Sequence, residues 1–145
     1  MTQAEKIKKL KIFLNIYGVL SLMIFGLLFV AFIFKFESFN PGNTFHWLIW
    51  DDVQGHVGLM IVTIYLIWGI YFFVAAKSPE KNISFLKFTM WANLGHGLIM
   101  IPLALDGTHI YTSKFLTDIP FILFLSIGIY ILLPEVESKN EVQPY

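Results

Sequence analysis

The chain has no cysteine and no arginine. The first absence excludes disulfides, thiolate-held iron–sulfur clusters, thioether-linked haem and thiolate zinc sites. The second removes the planar fork that grips phosphate or carboxylate with two parallel hydrogen bonds. All ten basic residues are lysines and are matched by ten acids, so the net charge is zero and nucleic acid is not favoured as a partner. Charge is scarce altogether, at 14% of residues against about 25% in soluble domains. The sequence contains no H-E-x-x-H, no Ser-His-Asp set, no glycine-rich phosphate loop and no paired carboxylates within an apolar run. It therefore reads as a non-enzyme more readily than as an enzyme.

What is present is apolar length. Hydrophobic residues make up 57% of the chain and the mean hydropathy is +0.69, which points to an integral membrane protein. Residues 1–11 are polar and basic, with Lys6, Lys8, Lys9 and Lys11. The run from Ile12 to Phe34 is longer than the apolar core of a signal peptide and ends on FIFKF, so it reads as a retained first span. Gly18 and Gly26 lie near one face of it and would permit close helix contact. Further spans are predicted at about 54–76, 84–105 and 115–133. Between the first two lies an aromatic stretch, with Phe36, Phe39, Phe45, Trp47 and Trp50 among polar residues. That mixture suits the headgroup zone, as a loop and then a short helix beginning near Asn43 or Thr44. The turn Lys77–Asn82 is short enough to make spans two and three an antiparallel hairpin, with Ser84 as a candidate cap. Pro102 should bend the third span or loosen its last turn. Asp118-Ile119-Pro120 reads as the start of a helix, and Pro134 as its end.

The expected fold is thus all-α: one polytopic domain, residues 1–145, forming a four-helix transmembrane bundle. Lysines set its expected orientation. Lys6, Lys8, Lys9, Lys11, Lys77, Lys81, Lys87 and Lys139 fall on one side, and only Lys35 and Lys114 on the other. By the positive-inside rule both termini are cytoplasmic, in a bacterial inner membrane. The other side then carries Glu37, Asp51, Asp52, Asp106 and Asp118, with His46, His56 and His109 on or near it.

The candidate chemistry lies in the third span. Thr89, Asn93, His96 and Met100 stand at i, i+4, i+7 and i+11, one stripe on one helical face. Unpaired polar groups are costly against lipid, so the stripe should face other helices, a cavity or a ligand. His96 would sit ~12 Å below the outer edge, at ~1.5 Å per residue. Gly95 and Gly97 beside it leave room for a helix or a flat ligand. Its readings are a metal or haem ligand, a proton relay, a quinone or small-ligand contact, or an inter-helix hydrogen bond. Trp91, Asn93, Met100 and Thr89 would line such a site. His56 with Met60 suits copper, and His56 with His96 would suit bis-His haem, but a gap of roughly 10 Å by the helical rise opposes both. Asp51, Asp52, Asp106 and Asp118 with His56 and His109 could meet as a cation site at the outer mouth. Helix capping and solvation explain the same acids.

These residues resemble a known pattern. Ala75-Ala76-Lys77-Ser78-Pro79, an apolar run led by Ser84, Trp91-Ala92-Asn93 before His96 and Met100, and Asp118-Ile119-Pro120 resemble an uncharacterised bacterial family of small four-helix membrane proteins, a domain of unknown function. The resemblance covers spans two to four. It departs at Lys77, where arginine is the commoner residue, and in the longer aromatic loop before Asp51. It implies the topology and singles out Trp91, His96 and Asp118, and it implies no activity. The leading functional expectation is a subunit or accessory factor of a membrane complex, or a homo-oligomer, with the bilayer and other membrane subunits as partners. The alternatives are a cofactor- or ligand-binding protein, redox included, using His96 with haem, copper or a quinone, and a small transporter or proton path.

Overall fold

The computed structural model describes residues 1–50, 55–105 and 109–134. Among them there are four long helices and no strand. Helix α1 spans Gln3–Phe34, α2 His56–Lys77, α3 Ile83–Leu105 and α4 Asp118–Leu132. Short 3₁₀ turns lie between them, at Glu37–Phe39, His46–Leu48, Pro79–Lys81 and His109–Phe115. Four helical segments are long and apolar enough to cross a membrane, the fourth reaching back to Tyr111. Only 22–33% of each apolar window is buried within the chain. The remaining apolar faces exceed by far what a water-soluble monomer tolerates.

Helix α1 begins nine residues before the apolar run that predicts it. The cause is a capping box: the Glu5 backbone N–H donates to Thr2 Oγ1 at 3.2 Å, and the Thr2 N–H to Glu5 Oε2 at 2.8 Å. Those two bonds satisfy orphan donors and carry the helix through the lysine-rich segment. Ser84 does not cap α3, which already begins at Ile83. The aromatic stretch forms two 3₁₀ turns instead of one short helix, and Phe39 and Ile49 fold back onto Leu28, Ala31, Phe32 and Val62.

Packing pairs α1 with α2 and α3 with α4 most closely, while the backbones of α2 and α3 stand further apart. Small residues set the close approaches. A Cβ at Gly18 would lie 2.8 Å from the Phe73 ring, and one at Gly97 would lie 2.6 Å from Leu123 Cδ2. Gly26, by contrast, has only Leu66 within reach, at 4.0 Å, so it does not mark a tight contact. At the lysine-rich end Leu10, Leu14, Tyr17, Phe72, Ala75, Ala76, Leu86, Met90, Leu125 and Ile129 form one cluster. At the opposite end Tyr65, Met100, Ala104, Ile119 and Ile122 form a second cluster, joined by Trp50, Trp68 and Tyr111. The polar side chains collect beside this second cluster.

Candidate functional site

The α3 stripe faces inward. Thr89 and Asn93 are 0% exposed and Met100 is 4% exposed. Their partners come from α2, where Tyr65 and Trp68 stand at i and i+3 and so share a face. The Tyr65 hydroxyl donates to Asn93 Oδ1 at 3.1 Å. The Trp68 indole N–H donates to Thr89 Oγ1 at 2.8 Å. The Asn93 amide donates to the Thr89 carbonyl one turn back, at 2.9 Å. These bonds bridge two helices whose backbones do not pack directly. Each contributes ~0.6 kcal/mol on average between membrane helices and rarely more than ~1.7. Phe25 of α1 stacks on the Tyr65 ring at 4.7 Å and holds it in place.

His96 stands at the edge of this network, half-buried. Its ring meets Tyr65 edge-on at 6.0 Å. It lines an open-sided cleft between α2 and α3, of about 240 Å³, with Ile61, Ile64, Tyr65, Trp68 and Ala92. No group among the described residues hydrogen-bonds to the imidazole. Gly95 beside it has open space where a Cβ would be, while Gly97 seats Leu123 and Ile122 of α4. The two glycines thus divide the roles expected of them: one admits a helix and the other leaves space.

Other expected members of the site do not join it. Trp91 is 64% exposed and does not line the cleft. Its position is two residues from Thr89, which turns it to the other side of α3. Met60 is 64% exposed and His56 is also exposed, and neither reaches the cleft that His96 lines. Neither therefore joins His96 at the cleft. Among the described residues no three His, Cys, Asp or Glu side chains group closely enough to hold a metal ion. Asp51, Asp52, Asp106 and the His109 side chain lie outside the described residues.

The elements that carry the expected pattern, α2 to α4, are only part of what a family model recognises. That model, for a family of unknown function (DUF6632), matches residues 4–141. The chain belongs to this family. The match takes in all four helices. No curated protein and no solved structure matches the chain.

A second polar cluster surrounds Asp118, the first residue of α4. Its Oδ2 accepts the Trp50 indole N–H at 2.8 Å and pairs with Lys114 Nζ at 3.1 Å. Lys114 is 0% exposed, and Asp118 is 29% exposed. The ammonium lies 5.5 Å from the centre of the Trp50 ring, in cation–π range. It makes no well-aligned hydrogen bond, so the ion pair and the indole face are what hold it. Trp50 in turn stacks on Tyr111 at 5.1 Å, and Ser113 Oγ donates to the Trp47 carbonyl at 3.2 Å. The aromatic loop is thereby pinned to the start of α4.

The sequence reading uses Lys114 only to set the orientation, yet it is buried here. The signal for its burial is the spacing Lys114-x-x-x-Asp118, an i, i+4 pair of opposite charge running into an apolar segment. Tyr65 and Trp68 carry a fainter signal, two aromatic residues with polar tips at i, i+3 in an otherwise apolar run. Asp118, read from sequence as a cap, serves here as a counterion, with Thr117 preceding it at the N-cap.

Proposed function

We propose that this chain is an integral membrane protein that receives the head of a lipophilic molecule in the cleft between α2 and α3, with His96 as the group that recognises it. The observation that carries this reading is the His96 imidazole, which faces an apolar, open-sided cleft without a protein partner. An unpaired polar group at that depth is costly, and a ligand carbonyl or hydroxyl removes the cost. Volume narrows the class. Pockets that enclose a drug-sized ligand run to ~300–1,000 Å³, and this cleft is about 240 Å³. It holds one ring or head and leaves the tail in lipid, as for a quinone. Eight lysines against two support both termini in the cytoplasm.

The test uses a benzoquinone with a decyl tail, titrated into purified full-length protein in nanodiscs. Trp68 lines the cleft, so occupancy should quench tryptophan fluorescence saturably. His96→Leu should lose the saturable component and keep its fold. Equal saturable quenching in both proteins would sink the reading. So would an absorbance band or stoichiometric metal lost in His96→Leu, which would make this a cofactor protein.

A second reading, an accessory subunit or homo-oligomer, is favoured by Phe88, Trp91 and Tyr130, which are 64, 64 and 72% exposed. An oligomer or membrane partner lost in Trp91→Ala would be its mark. A through-path for protons or solutes has less support, because the polar series stops at Thr89 and the apolar cluster around Phe72 and Leu86 lies beyond it.

A further inference from the structure

The outer face of α3 carries a second ordered series, turned away from the cleft that Ala92 and His96 line. Ser84, Lys87, Trp91 and Gly95 are all exposed and stand at i, i+3, i+7 and i+11. They form one stripe running from the lysine-rich end toward the middle of the span. Among the described residues the side chains of Ser84, Lys87 and Trp91 have no hydrogen-bond, ionic or ring partner. Trp91 lies about 12 Å past the start of α3 at Ile83, at ~1.5 Å per residue. An indole at that level keeps its ring in hydrocarbon and needs an acceptor for its N–H. Gly95, one turn deeper, has open space where a Cβ would be. Charge at the entrance to this stripe is one-sided. Over residues 77–87, Lys77, Lys81 and Lys87 stand against Glu80 alone, and all four are exposed.

The stripe thus presents a hydroxyl and an ammonium, then an indole N–H, then open apolar surface. A glycerophospholipid has the same order along its length: phosphate, ester carbonyls one glycerol unit deeper, then acyl chain. Resting on membrane insertion of the chain but not on the cleft, we infer that this face of α3 binds an anionic phospholipid of the leaflet at the lysine-rich end. Lys87 and Ser84 take the phosphate, the Trp91 indole N–H donates to an ester carbonyl, and an acyl chain lies over Gly95. Lysine suits this place, because its stem follows the apolar face while the ammonium meets phosphate as a point charge. The one-sided charge selects an anionic head over a zwitterionic one, whose own ammonium the same lysines repel.

The experiment places the full-length protein in phosphatidylcholine nanodiscs. These carry a small fraction of either phosphatidylglycerol or phosphatidylcholine with brominated acyl chains, which quench tryptophan on contact. The signal is the quenching that Trp91→Phe removes, since Trp47, Trp50 and Trp68 remain in that variant. One lysine beside an anionic head changes occupancy about fivefold. Brominated phosphatidylglycerol should therefore quench Trp91 about five times as strongly as brominated phosphatidylcholine. Lys87→Gln should bring the two lipids close to equality. Lys9→Gln removes another exposed lysine of the same end, on α1, and should keep the preference. Equal quenching by the two lipids in the wild type overturns the inference. So does an equal loss in Lys9→Gln, which would reduce the effect to the field of the whole end. So does a Trp91 that neither lipid quenches, which would mean that a protein partner covers the face. Quinone binding at His96 is read by its own titration and stands or falls separately.

Discussion

The two polar clusters solve the same problem by opposite means. The α2–α3 network is neutral, and its buried members are hydrogen-bonded: Tyr65 to Asn93, Trp68 to Thr89, Asn93 to the Thr89 backbone. The cluster at the start of α4 is charged, with a fully buried ammonium balanced by one carboxylate and an indole face. Neutral bonds between helices are individually weak, because a separated helix finds other partners for the same groups. A buried ion pair behaves differently. Its net stabilisation is small, but removing one member strands a charge that nothing else near it can satisfy. The first cluster should therefore yield gradually to mutation and the second abruptly.

The largest expected effect comes from splitting the ion pair. Asp118→Asn strands the 0% exposed Lys114 and should cost about 3–5 kcal/mol, read as unfolding in a mild-detergent denaturation series. Lys114→Met should cost less, since the stranded Asp118 is 29% exposed and reaches water. Equal losses in the two variants would show that burial does not set the cost. The double variant should recover most of the stability.

Smaller effects probe the neutral network. Asn93→Leu removes the acceptor of Tyr65 and leaves its hydroxyl unpaired, for a loss of about 1–2 kcal/mol. A loss as large as that of Asp118→Asn would erase the distinction between the clusters. Trp68→Phe keeps the ring's packing but drops its bond to Thr89, for about 0.6 kcal/mol. The smallest change in stability should follow His96→Leu, which breaks no protein hydrogen bond. A loss above about 2 kcal/mol there would mean that His96 is structural, contrary to the ligand reading.

Much of this was legible in the chain. Helix number, the start of α4 at Asp118 and the grouping of Thr89, Asn93 and Met100 on one face of α3 follow from run length and spacing; that this face turns inward within the chain does not. Such features are local: they depend on residues within a few turns of one another, and apolar length against bilayer thickness does the rest. The extension of α1 to Gln3 was also local, written in Thr2 and Glu5, but apolar runs alone do not show it. Partnership across helices was not legible. That Trp50 reaches Asp118 across 68 positions, that Trp91 turns outward, and that His96 is left facing a cleft while Asn93 is satisfied depend on how α2 stands beside α3. Periodicity fixes which face a residue occupies on its own helix. Only tertiary packing decides what that face meets, because the rotation and spacing of each helix are set by side chains distant in sequence, such as Gly18 against Phe73 and Gly97 against Leu123.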